Sequence, residues 1–203
     1  MNPALALALG GAADAALMSA AISACKRCGI RKKILTPCSG VVLSACWLVQ
    51  SVFSTRTNSF WESALVLVLV GCLAVSAVTD LAAGYIFDSV TLSGLVAASL
   101  IGMIDGRFAP IAGGAFLVSG AILALHAASR GRGIGLGDAK LAACVGALLG
   151  PRNGLRSLGF AFVLGGTYAA VLLLSRRARG KETVPFAPYL AAGAFIELAL
   201  QSA

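Results

Sequence analysis

Residues 131–141 read GRGIGLGDAKL. Gly131, Gly133, Gly135 and Gly137 alternate with larger residues, Asp138 closes the run, Lys140 stands two places on, and an apolar stretch follows at once. Glycine opens backbone angles and close approaches that other residues forbid. A carboxylate at the mouth of an apolar segment is costly unless it is paired or functional. The stretch therefore sets one acid at the boundary of a membrane or a core, on backbone that another chain can approach.

The surroundings decide between membrane and core. Of 203 residues, 59% are hydrophobic and only 12% charged, against about a quarter charged in an ordinary soluble domain. The mean hydropathy is +0.91. With many apolar runs near spanning length, this composition predicts an all-α fold: a polytopic membrane helical bundle. The net charge of +8 is topological on this reading, because the basic residues fall between apolar runs. No nucleic-acid partner is expected, since that would need them on one folded surface. The first segment begins MNPALALALG without a basic start, and Asp14 interrupts it, so it is expected to be a retained helix and not a signal peptide.

Eight apolar segments are legible, at about residues 3–24, 34–53, 60–79, 90–104, 108–128, 141–150, 155–174 and 185–201. Loop charges test the count. Lys26, Arg27, Arg31, Lys32, Lys33, Arg130, Arg132, Lys140, Arg176, Arg177, Arg179 and Lys181 lie in odd-numbered loops, and only Arg56, Arg107, Arg152 and Arg156 in even-numbered ones. Twelve against four, alternating correctly, predicts eight spans with both termini outside the cytoplasm. The third helix then runs inward to Asp80 and the sixth runs outward from Asp138, so both acids meet the cytoplasmic face. Glu62 and Asp105 fall in outer loops. Asp14 and Glu197 fall inside apolar segments, as buried polar contacts or snorkelling groups.

Two carboxylates at one membrane face can form an aspartic dyad. Like charges a few ångströms apart cannot both ionise, so the pair shares a proton. One acid then takes a proton from water as it attacks a peptide carbonyl, while the other polarises that carbonyl. No cofactor or metal is required. Gly135 and Gly137 would let an extended substrate backbone lie beside Asp138. On positions alone the alternative stands open that Asp80 and Asp138 cap helices or pair with Lys140.

At these residues the chain resembles a known family. Gly135-Leu136-Gly137-Asp138-Ala139-Lys140 is similar to the GxGDxK motif of type IV prepilin peptidases, membrane aspartic proteases of the GxGD class. Thr79-Asp80-Leu81-Ala82-Ala83-Gly84-Tyr85-Ile86 resembles the segment carrying that family's other catalytic acid. Pro185-Phe186-Ala187-Pro188-Tyr189-Leu190 resembles the PFGPxL start of its last helix. The three stand in the family's order and cover residues 60–203, so the resemblance divides the chain into an N-terminal two-helix segment, 1–59, and a six-helix catalytic core, 60–203. It departs where Ile86-Phe87-Asp88 replaces Ile-Pro-Asn and where Ala187 replaces glycine.

The resemblance implies an inner-membrane, multi-pass aspartic endopeptidase that removes the leader of prepilin or pseudopilin precursors. Asp80 and Asp138 would be catalytic, and Gly135, Gly137 and Lys140 would border the substrate. Lys140 would tune the acids or anchor at the headgroups. The inner-loop cations would hold topology and anionic membrane lipid.

Six cysteines include one CxxC, Cys25 to Cys28, whereas a structural zinc site usually takes two such pairs. Many family members carry two pairs on a larger loop that goes with N-methylation. The loop here is about eight residues, so neither zinc nor methyl transfer is expected. A non-enzymatic membrane protein, a small transporter or secretion-apparatus subunit, is the alternative, its paired acids carrying ions. A phosphate cradle is disfavoured, because GRGIGLGDAK lacks GxxxxGK[ST] and a preceding strand.

Overall fold

The computed structural model describes residues 60–131, 133–175 and 185–202, and these are all-helical. The two apolar segments expected before residue 60, with the CxxC, lie outside the described residues, as does the basic seventh loop. Five helices follow in order: α1 Phe60–Ala83, α2 Asp88–Ile104, α3 Phe108–Ala128, α4 Leu136–Leu174 and α5 Ala187–Ser202. Three of them, α1 (over Trp61–Leu81), α3 and α4, are long and apolar enough to cross a membrane. At 1.5 Å per residue, 21 residues reach about 30 Å, the thickness of a bilayer's hydrocarbon core.

Helix α1 is apolar around its whole circumference, and such a helix must be buried on all sides. It is: residues 69–80 are all buried. The helices around it expose apolar side chains outward, among them Phe116, Leu123, Val163 and Leu174. Surface of that kind and extent suits lipid contact. Helix α2 turns a stripe of small residues inward, Thr91, Gly94, Ala98 and Gly102, which lets its backbone come close to its neighbours. The Cys72 Sγ donates to the Val90 carbonyl (3.4 Å) and the Cys144 Sγ to that of Thr91 (3.6 Å).

The apolar stretches at 141–150 and 155–174 are one helix with a break. Gly150 takes φ 75° and ψ 179°, and Pro151, which has no N–H to lose, opens the second arm. The arms fold back on each other: a Cβ on Gly154 would lie 3.2 Å from the Gly146 Cα. In a straight helix those residues would stand about 12 Å apart. Helix α3 crosses the first arm at Gly114 and Gly146, where a Cβ on either would collide with the other's carbonyl oxygen.

Two boundaries differ from the sequence reading. Helix α1 runs to Ala83, so Asp80 sits inside its last turn and not at its end. Leu81, Ala82 and Ala83 are good helix formers, and Gly84, at φ 62°, stops the helix. Glu62 lies in the first turn of α1 and not in a loop. The ends of the bundle are distinct. Residues 80–88, 129–131, 133–140 and 186–187 gather at one end. At the other, a pocket of about 630 Å³ is lined by Glu62, Arg107, Gly150 and Arg152, among others.

Candidate active site

Asp80 is nearly buried, 8% exposed. Its main chain is fixed by Gly84, whose N–H donates to the Asp80 carbonyl at 2.7 Å and closes the α1 terminus. Its side chain is fixed from far along the chain: the Ala187 N–H donates to Asp80 Oδ2 at 3.0 Å. The reason is local. The first N–H groups of a helix have no partner within it. In α5, Pro188 has none to offer, and the Tyr189 and Leu190 N–H groups donate to the Phe186 carbonyl. That leaves Ala187, and Asp80 accepts from it, as an anion at the positive end of a helix.

Asp138 is held in a parallel way. Gly135 caps the N-terminus of α4, and its N–H donates to Asp138 Oδ2 at 3.1 Å. This is the side-chain half of a capping box, with a carboxylate in the first helical turn. Asp138 is half-buried. Gly137 packs on Ile86, in the connection after Asp80: a Cβ on Gly137 would stand 3.4 Å from the Ile86 Cβ, an ordinary contact. Around the acids, Ala77, Val78, Ile86, Ala139, Ala142, Ala187 and Leu190 belong to one buried cluster. Asp80 and Asp138 thus stand at the same end of the bundle, linked through the contact of Ile86 with Gly137.

The candidate site residues can now be placed. Asp80, Asp138, Gly135 and Gly137 come together at one end of the bundle, with Gly135 exposed. Lys140 is there too, but its Nζ pairs with Asp88 Oδ2 at 2.6 Å. The aspartate that stands where the resembling family has asparagine is thus matched by a lysine on the facing helix. Both are about half exposed, so the pair ties the starts of α2 and α4 weakly. Glu197 is the other residue settled: fully buried, it takes Arg156 as its partner at 3.3 Å.

Three participants were not legible as such. The Ala187 N–H and the Ile86 side chain lie in motifs flagged by resemblance, but nothing local says what they touch. His126 was visible only as the chain's single histidine. Its Nδ1 lies 2.6 Å from the Ile134 carbonyl. Among the described residues, no cluster of three metal-ligating side chains is present.

The type IV leader peptidase family matches residues 67–170, which hold both acids. A prepilin leader peptidase/N-methyltransferase of Bacillus subtilis (strain 168) is 31% identical over 177 residues, 85% of this chain and 68% of that protein. Proteins of the same description from Burkholderia pseudomallei, strains 1026b and K96243, are 38% identical over 128 residues, 60% of this chain and 41% of theirs. No solved structure matches. By the span of that match, and by the coverage of the Bacillus protein, the chain belongs to the type IV leader peptidase family.

Proposed function

We propose that this chain is an inner-membrane, multi-pass aspartic endopeptidase that removes the leader of prepilin-like precursors at the cytoplasmic face, with Asp80 and Asp138 as its catalytic acids. The observation that carries the reading is the convergence of three segments far apart in sequence. Ala187 holds Asp80, and Ile86, in the connection after Asp80, packs on Gly137 beside Asp138. The eight-span count is part of the proposal. It is supported by five helices, the fourth broken at Gly150, and by two further apolar stretches ahead of residue 60.

The chemistry follows from the pair. The ionised acid takes a proton from water as the water oxygen bonds to the scissile carbonyl carbon. The protonated acid gives its proton to the carbonyl oxygen, and a gem-diol forms. When the C–N bond breaks, the first acid passes its proton to the leaving nitrogen, and the second recovers one from the diol. The capping bonds from Ala187 and Gly135 keep each carboxyl in place through both steps. Gly135 offers bare backbone beside Asp138 for an extended substrate. Ile86 packs on Gly137 at the start of α4, and Lys140 pairs weakly with Asp88 at the start of α2.

Co-expression with a prepilin-like precursor tests the proposal. The precursor should shorten by its leader on a gel. A precursor left at full length beside well-expressed chain would refute it.

A further inference from the structure

The loop before Asp138 is fastened to the end of α3. The Arg130 N–H donates to the Ala127 carbonyl at 3.0 Å and the Gly131 N–H to that of His126 at 2.9 Å, with Arg130 at φ 53° and Gly131 at φ 75°. This is a Schellman terminus, with arginine where glycine is usual. Ser129 Oγ donates to the His126 carbonyl at 3.0 Å and accepts from the Gly133 N–H at 3.3 Å. The Ile134 side chain packs against the buried cluster.

One peptide group then links two side chains. His126 Nδ1 lies 2.6 Å from the Ile134 carbonyl oxygen. A carbonyl can only accept, so Nδ1 carries the proton. The other end of that same peptide group is the Gly135 N–H, which donates to Asp138 Oδ2 at 3.1 Å. A chain of two hydrogen bonds therefore runs from imidazole through a single peptide plane to the carboxyl, and each bond polarises the next. We propose that His126 is a positioning residue for Asp138. It fixes the tilt of the Ile134–Gly135 peptide, and with it the carboxyl that the Gly135 N–H holds. Ser129 holds the preceding half of the loop. A catalytic consequence rests on the peptidase reading above; the geometry does not.

Two measurements keep these apart. His126 is the chain's only histidine, so the untagged protein gives one imidazole signal in nitrogen-15 spectra. The neutral ring should be the Nδ1–H tautomer. An Nε2–H ring would overturn the inference whatever the activity.

In a leader-removal assay, His126→Leu should lower kcat on the order of 10- to 100-fold with KM within about twofold, as expected for a small misplacement of a reacting group. His126→Asn, whose amide can donate to the same carbonyl, should recover most of the loss. Wild-type kcat in folded His126→Leu, or no advantage of Asn over Leu, would overturn the role. If His126→Leu does not accumulate, Ser129→Ala decides: a several-fold fall in kcat supports the role, and full activity refutes it. Wild-type chain that leaves the precursor uncut would refute the peptidase reading, while the tautomer still judges the geometry.

Discussion

The Ala187 N–H donates to the Asp80 carboxylate across 107 residues of chain, at 3.0 Å and out of contact with solvent. The bond makes one acid both a candidate catalyst and the N-terminal cap of the last helix. The two roles separate by substitution. Asp80→Ala leaves a buried N–H without a partner, which should cost about 1–3 kcal/mol. Asp80→Asn keeps an oxygen in place and should cost less. Thermal unfolding in detergent checks the order of the two variants.

The crossing of α3 with the first arm of α4 admits no side chain at Gly114 or Gly146. A Cβ there meets backbone, not a flexible side-chain end, so relief requires the helices to move apart. Gly114→Ala and Gly146→Ala should each destabilise by at least about 1–3 kcal/mol. Gly113→Ala, one residue along and in open space, should be tolerated. Comparing the melting temperatures of the three variants checks this.

Glu197 and Arg156 should behave asymmetrically. Glu197 is fully buried and its Oε2 has no hydrogen-bond partner, whereas Arg156 is half exposed. Arg156→Ala leaves this buried acid with only the long hydrogen bond from Gln201 Nε2 (3.5 Å) and should cost about 3 kcal/mol. Glu197→Gln removes the charge that needs the partner and should cost less. Unfolding of both variants and the double variant measures the coupling.

The Lys140–Asp88 pair should matter little to stability. Both side chains are about half exposed, so Lys140→Ala or Asp88→Asn should each change it by under about 1 kcal/mol. Substantial leader removal should persist in Asp88→Asn. Unfolding and cleavage assays on the same preparations check both statements.

How much of this was legible follows from what each feature depends on. The all-helical class was, because apolar runs that long leave few alternatives. The break at Gly150 was visible as two apolar stretches, but not that they form one helix folded back on itself. That depends on a φ of 75° which the sequence permits and does not require. The end of α1 was read at Asp80, because hydropathy falls there. Helix formation does not fall with it, and the chain continues to Ala83. The presence of Asp80 and Asp138 at one end was readable from loop charges. What holds them was not: a backbone N–H at Ala187, a side chain at Ile86 and an imidazole at His126 become partners only when the helices pack.

The central claim is that Asp80 and Asp138 act together on one peptide bond. It is tested most directly by purified wild-type chain, Asp80→Asn and Asp138→Asn in detergent. Initial rates on a prepilin-like precursor are measured, and mass spectrometry gives the cut site. Each amide variant should unfold close to wild type and yet lose on the order of a thousandfold or more in rate, since each removes one half of an acid–base pair. Cleavage at the wild-type rate by either folded variant would contradict the account.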